Sequence, residues 1–308
     1  MTRLRAAVGA DGVTGREIEV DGVRLAYDDE GSGPPLLCLH SIAHGARDFA
    51  PLRERLRTRA RVIALDWPGH GRSGEDHAPT SAERYADVLA GFVAALGLRD
   101  LVVLGNSIGG AAALRFAARQ PDRVRALVLV DSAGLDAVDA TARLVTRAMA
   151  AFFAAGARGA RWYPRAFALY YGLVLTAPPS FAQRARIVDA AVEMAPRLAE
   201  AWRSFGEPSA DVRALAAGLS CPVLVAWAKR DRVVQLRRSL PAIRHVANLR
   251  LETFAGGHSP FLECPDAFAA TLEAFLTDLL RAESARSRAA ELEDALEGAR
   301  IERHDAQA

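Results

Sequence analysis

The chain has little of several features that would assign it quickly to a class of protein. Its 308 residues include only three cysteines, Cys38, Cys221 and Cys264, which form an odd set without the spacing of metal ligands. Two of the three lie in apolar stretches that are typical of buried strands. We therefore expect buried, reduced thiols and a cytoplasmic protein that holds no metal.

Charge and hydropathy exclude further classes of protein. The formal net charge is only +2 with 25% charged residues, so no excess of one sign indicates nucleic acid or an anionic membrane as a partner. The longest apolar runs, such as residues 148–155, are too short to span a bilayer, and residues 1–15 lack the apolar segment of a signal peptide. A hydrophobic content of 51% is enough for a large core. We expect a monomer or a homodimer without a membrane span.

What the sequence does contain is an alternation of strand and helix patterns. Two short strands flank Asp21 and Gly22, a pair that is typical of a hairpin turn. Six apolar strand candidates follow, at residues 35–40, 61–66, 101–105, 126–131, 222–227 and 249–254. Helical patterns separate them, around residues 48–56, 81–96, 108–119, 236–243 and 266–280. The pattern predicts an α/β fold with a mostly parallel eight-stranded sheet and helices on both faces.

One interval breaks the alternation. Residues 136–206 contain only helical patterns, yet they hold ten of the 21 aromatic residues of the chain. We expect a helical cap folded over the carboxyl edge of the sheet, where open α/β sheets bind ligands. The alternative is that these aromatic side chains only pack the insertion onto the main domain. The predicted organisation is thus an extension at 1–15, a core at 16–135 and 207–280, the cap, and a charged, helical or frayed tail at 281–308.

A serine occupies the tightest junction of the chain. A strand ending at Gly105 passes almost directly into a helix that begins near Gly109, with Ser107 between them. Glycine on either side relieves the crowding of a strained turn and holds the serine hydroxyl clear of the sheet. The N–H of Ile108 would then point to where an oxyanion forms. The sequence predicts a nucleophilic serine.

Such a serine needs a base that is oriented by an acid. His258 follows Gly256 and Gly257 directly after the last strand candidate, and Asp231 lies just past the strand at 222–227. The order serine, aspartate, histidine is the one expected of this topology. Asp131, at the end of its own strand, remains a second candidate for the acid.

At these residues the chain resembles the α/β-hydrolase superfamily over residues 17–280. The stretch "DWPGHGRS" at 66–73 is similar to a turn of that family, "GNSIGG" at 105–110 to its nucleophile elbow, and "GGHSPFLECP" at 256–265 to its histidine loop. The residue sequence of this elbow is similar to that of the meta-cleavage C–C hydrolases. The loop "HSIA" at 40–43 departs from the usual His-Gly, because Ser41 stands in place of glycine, and it is similar to the loop of the enol-lactonases.

The resemblance implies a cap, the absence of a cofactor, and a second oxyanion donor in the N–H of Ile42. It leaves the carboxylate-binding arginine of the C–C hydrolases unassigned, and the candidates for this role are Arg161, Arg165 and Arg184. A second departure is Ser259, which stands where those enzymes carry tryptophan. Six residues of the loop and the cap are expected to contact the substrate: His40, Ser41, Trp162, Tyr163, Phe167 and Tyr170.

These features predict a serine hydrolase that cleaves an apolar ester, lactone or thioester. Three alternatives stay open: a C–C hydrolase of a vinylogous diketone, a ligand receptor of the same fold with slow turnover, and an interaction module that acts through the tail. An intact set of serine, histidine and aspartate argues against the last of these.

Overall fold

The structure, a computed structural model, describes residues 5–8 and 14–305. These residues divide into two compact units, of which the first ends at Pro265 and the second begins at Asp266. Among the described residues, no helix is both long enough and apolar enough to cross a bilayer.

The first unit is built on a nine-stranded sheet in the order β1-β2-β3-β5-β4-β6-β7-β8-β9. The strands are β1 Arg5–Val8, β2 Thr14–Val20, β3 Val23–Glu30, β4 Pro35–Leu39, β5 Arg61–Leu65, β6 Leu101–Asn106, β7 Val124–Val130, β8 Val223–Ala228 and β9 Leu249–Phe254. The first three strands are antiparallel to their neighbours, and β5, β4, β6, β7, β8 and β9 run parallel. The fold class and all eight predicted strands are confirmed. The sheet has one further edge strand, β1, within the predicted N-terminal extension.

Helices connect the parallel strands. They are α1 Ala50–Leu56, α2 Ala82–Ala95, α3 Ile108–Arg119, α4 Ala140–Ala157, α5 Tyr163–Val174, α6 Phe181–Asp189, α7 Ala191–Ser204, α8 Arg213–Ala217, α9 Leu236–Ile243, α10 Pro260–Glu263 and α11 Pro265–Asp305. Every residue of β6 and of β8 is buried, as expected for central strands that are covered on both faces. Helix α11 continues without interruption through most of the predicted tail, a stretch rich in the helix formers Ala, Glu and Arg.

Helices α4, α5, α6 and α7 form an insertion between β7 and β8, and α4 packs along α7. No strand occurs among the described residues between Asp131 and Pro222. The interior of the insertion is aromatic: Phe153, Tyr163 and Phe167 are fully buried, and their ring centroids lie 5.6 to 6.5 Å apart. Burial of these large side chains stabilises the insertion.

Candidate active site

Ser107 occupies a strained turn between β6 and α3. Its backbone has φ 56° and ψ −119°, a combination that a residue with a side chain rarely adopts. A Cβ at Gly105 would lie 2.4 Å from the carbonyl oxygen of Gly109, and one at Gly109 would lie 2.6 Å from that of Leu39. Both positions therefore require glycine for steric reasons. The Ser107 N–H donates to Val130 O at 3.0 Å, which ties the turn to the neighbouring strand β7.

The backbone N–H groups of Ile108 and Ile42, the two predicted oxyanion donors, have no acceptor among the described residues. Ile108 is the first residue of α3, so its N–H cannot take part in the helix ladder. Ile42 lies in the loop after β4, where the next residue, Ala43, has a left-handed backbone with φ 64°. The Ala43 N–H donates to Nε2 of His70 at 3.2 Å. Burial lowers the pKa of His70 to about 4, which keeps its ring neutral and able to accept this bond.

His258 and Asp231 form a buried pair. The imidazole Nδ1 donates to Oδ2 of Asp231 at 2.8 Å. The other carboxylate oxygen of Asp231 accepts from the N–H groups of Val233 and Val234 at 2.7 and 3.0 Å. Both oxygens of this carboxylate are thereby satisfied, which fixes its orientation toward the imidazole ring.

The loop that carries His258 is fastened to the serine turn by Asn106. The side-chain amide of Asn106 donates to the carbonyl of His258 at 3.1 Å and to Val130 O at 3.0 Å. Its amide oxygen accepts from the hydroxyl of Ser259 at 3.0 Å. Ser259 is fully buried, and Asn106 directly precedes Ser107, so these bonds tie the histidine loop to the residue before the serine. Sequence analysis assigned no such role to Asn106, although "GNSIGG" contains it.

Glu263 is a second anchor of the histidine loop that had no predicted role. One of its oxygens accepts from the N–H groups of Gly257 and His258 at 2.7 and 3.0 Å. The other accepts from the N–H groups of Thr176 and Ala177, in the segment between α5 and α6, at 2.7 and 3.0 Å. One buried carboxylate therefore connects the helical insertion with the loop of His258.

Asp131, the second candidate acid, lies beside this pair but makes no hydrogen bond to His258 among the contacts of the described residues. One ligand atom each of Asp131, Asp231 and His258 lies within 4.8 Å of the others. Oδ1 of Asp131 accepts from Ala228 N at 2.8 Å, and Oδ2 has no partner in the described part of the chain. Burial, and next the charge of Asp231, raise the pKa of Asp131 well above its usual range. Burial and the neighbouring carboxylate thus both disfavour the ionised form of Asp131.

A cavity of about 320 Å³ reaches Ser107. Its wall follows α3 from Ser107 through Ala111 to Arg115, and the insertion contributes Val145, Trp202 and Phe205. Other apolar side chains complete much of the lining: Ala82, Ala133, Ala137, Val138, Ala142, Val233 and Val234. Arginines of the segment after β8 also line it, namely Arg232, Arg237 and Arg238.

None of the six predicted substrate contacts lines this cavity. His40 is fully buried, and its ring bonds with Ser41 O at 2.7 Å and with Trp67 N at 3.0 Å. Ser41, beside it, is buried in the loop after β4. Of the aromatic residues, Tyr163 and Phe167 are fully buried and Trp162 is half exposed. Tyr170 packs against Phe153, and burial and next the nearby charge of Asp231 raise the pKa of its phenol, which places it close to the acid of the site.

The three arginine candidates do not line the cavity either. Arg161 and Arg165 are exposed on the surface. Arg184 lies over the ring of Phe181 at 4.1 Å and donates to Leu175 O at 3.1 Å. The cavity-lining arginine of α3, Arg115, is buried, and its Nε has no partner among the described residues. Arg115 could not be predicted from the sequence, because the pattern of a helix does not reveal which cavity the helix borders.

Comparison with known proteins agrees with this geometry. Residues 36–271 match the model of the alpha/beta hydrolase family. The chain is 31% identical to a 2-hydroxymuconate semialdehyde hydrolase of Pseudomonas putida, over 86% of this chain and 94% of that protein. It is 32% identical to a 2-(acetamidomethylene)succinate hydrolase of Mesorhizobium japonicum, but that match spans 44% of this chain and only 51% of the relative. The crystal structure of the enol-lactonase from Burkholderia xenovorans superposes with a TM-score of 0.71 at 23% identity, over 85% of this chain and 99% of that one.

Proposed function

Because the chain belongs to the α/β-hydrolase family, we propose that it is a serine hydrolase that cleaves an ester, lactone or thioester through an acyl-enzyme. One observation carries the proposal. Asn106 binds the loop of His258 to the strained turn of Ser107, while Nδ1 of the same imidazole is occupied by Asp231. Nε2 is then the ring nitrogen left to accept the proton of the serine.

The reaction follows from these positions. Nε2 of His258 removes the hydroxyl proton as Ser107 Oγ attacks the carbonyl carbon, and Asp231 stabilises the imidazolium that forms. The N–H groups of Ile42 and Ile108 hold the oxyanion of the tetrahedral intermediate. Collapse of the intermediate expels the alcohol, thiol or ring oxygen, which takes the proton from His258. Water then hydrolyses the acyl-enzyme by the same steps in reverse.

The cavity supports a substrate of moderate size with an apolar body. Its volume of about 320 Å³ lies at the lower end of the range for small-molecule sites, and alanine and valine side chains form much of its wall. Val145, Trp202 and Phe205 belong to the insertion, so we assign to the insertion the role of a cap that sets substrate size. The reaction as written needs no cofactor.

A second candidate is a C–C hydrolase. The likeness to the Pseudomonas putida enzyme extends over nearly the whole of both chains and favours it. The motif "GNSIGG" supports the C–C hydrolase less strongly than the sequence alone indicated. Its Asn106 fixes the histidine loop, and any reaction at Ser107 needs that loop in place.

Covalent labelling followed by a substrate panel tests the proposal. The purified protein and its Ser107→Ala variant are treated with a fluorophosphonate probe, and then assayed with p-nitrophenyl esters and a ring-fission dienoate. We expect labelling and ester hydrolysis in the wild type and neither in the variant. Hydrolysis that survives Ser107→Ala contradicts the proposal, and faster turnover of the dienoate than of every ester selects the C–C alternative.

A further inference from the structure

Exposed large apolar side chains are concentrated in the helical insertion. Among the described residues nine such side chains are exposed, and seven of them lie within residues 136–206: Leu144, Val145, Trp162, Leu169, Leu173, Phe181 and Val192. Soluble proteins commonly expose apolar side chains singly, whereas a concentration of them marks an interaction surface. The insertion is therefore more than a cover for the sheet.

Helix α5 organises part of this set into one face. Trp162, Arg165, Leu169 and Leu173 follow one another at intervals of three and four residues, which places them along one side of a helix about 18 Å long. Leu169 is 77% exposed, Trp162 52% and Leu173 48%. The opposite side, with Tyr163, Phe167 and Tyr171, is buried. We add to these four exposed residues the two arginines of the turn before α5 and call the whole set the α5 face: Arg158, Arg161, Trp162, Arg165, Leu169 and Leu173.

The charge around the α5 face is of one sign. Residues 140–188 contain seven arginines and no aspartate, glutamate or lysine. Arg158, Arg161 and Arg165 are exposed and form no ion pair within the part of the chain that the structure describes. The small net charge of the whole chain conceals this local excess, because the acidic residues lie elsewhere in the sequence.

We propose that the α5 face docks on the surface of an anionic lipid bilayer. Tryptophan and leucine side chains insert at the boundary between headgroups and acyl chains, and arginines bind the lipid phosphates while their stems follow the apolar surface. A second copy of the chain is a poor occupant, because in a two-fold contact it would present the same face, which has no acidic residue to pair with the three guanidinium groups. At 77% exposure, Leu169 stands clear of its neighbours and does not line a groove that could receive a side chain of a partner protein.

Flotation of the full-length protein with lipid vesicles tests the proposal. Vesicles of phosphatidylcholine alone are compared with vesicles that also contain phosphatidylglycerol, each at low and at high salt. We expect binding to the anionic vesicles only, and weaker binding as salt rises. The triple variant Arg158→Gln/Arg161→Gln/Arg165→Gln should lower the partition coefficient by about a hundredfold, since each arginine contributes about fivefold. Leu169→Asp should lower it by about tenfold.

Matched controls separate the face from general effects. The triple variant Arg57→Gln/Arg99→Gln/Arg244→Gln removes the same charge from exposed positions outside the insertion, and Leu215→Asp alters an exposed leucine of α8. Both should keep most of the binding, and circular dichroism with thermal unfolding checks that every variant is folded. Absent binding, equal binding to neutral vesicles, or equal loss in the controls overturns the proposal. A dimer in light scattering that Leu169→Asp abolishes also overturns it, because a second copy would then cover the face.

Discussion

Glu263 holds together two segments that come from distant parts of the chain, so its replacement by glutamine should damage both stability and turnover. A glutamine side chain keeps one acceptor oxygen and replaces the other with an NH₂ group. In either orientation that NH₂ group faces two backbone N–H donors, either those of Gly257 and His258 or those of Thr176 and Ala177. Each buried donor left without an acceptor costs about 1–3 kcal/mol. Glu263→Gln should therefore lower the free energy of unfolding by about 2–6 kcal/mol.

The assay combines urea unfolding with kcat on a p-nitrophenyl ester. Turnover should fall together with stability, because the N–H of His258 is one of the donors that Glu263 holds. Glu193→Gln, at an exposed position of α7, serves as the control and should change neither quantity appreciably. If Glu263→Gln kept kcat and lost less than about 0.5 kcal/mol, the assignment of Glu263 as the anchor of the histidine loop would be wrong.

Three further predictions concern the surroundings of the site. Asp131 keeps its proton to higher pH in the fold than in the unfolded chain, so its contribution to stability falls as pH rises above about 4. Asp131→Asn should therefore be more stable than the wild type at neutral pH and lose this advantage near pH 4, and an advantage that grows on acidification would contradict this sign. Ala43→Gly should raise the free energy of unfolding by about 1 kcal/mol in thermal unfolding, because Ala43 has φ 64°, and a decrease would argue against backbone strain there. The kcat/KM of an ester series should rise nearly fourfold per methylene, about 0.8 kcal/mol each, until the cavity is full and then fall. Ala142→Leu should shift this optimum to a shorter ester chain, because Ala142 lines the cavity. Replacement of residues 136–206 by a Gly-Ser linker should flatten the dependence on chain length. A steady preference for acetate in the intact enzyme would contradict the proposed role of the cavity.

The parts of the molecule that local sequence determines were predictable. The strands β6 and β8 are continuous apolar runs because both of their faces are buried, and this composition is visible without a structure. The turn of Ser107 could be predicted for a related reason. Its geometry depends on glycines two residues away on either side, so the steric requirement is contained in five consecutive residues.

Features that depend on distant contacts were not predictable. Asn106 bonds to His258 across 152 positions, and Glu263 bonds to Thr176 across 87. Tyr163 and Phe167 were expected to contact the substrate, but both are fully buried in the aromatic interior of the insertion, where they pack against Phe153. The cavity is lined instead by small side chains such as Ala111, whose position depends on how helices pack around the sheet.

The central claim is that Ser107, His258 and Asp231 act as one unit, and the kinetics of one double variant test it most directly. Groups that act together show strongly non-additive losses. We measure kcat/KM of Asp231→Ala, His258→Ala and Asp231→Ala/His258→Ala on the best ester, with Asp131→Asn alongside. We expect the double variant to be hardly slower than His258→Ala alone, and Asp131→Asn to keep most of the activity. Losses that multiply in the double variant, or a larger loss in Asp131→Asn than in Asp231→Ala, would contradict it.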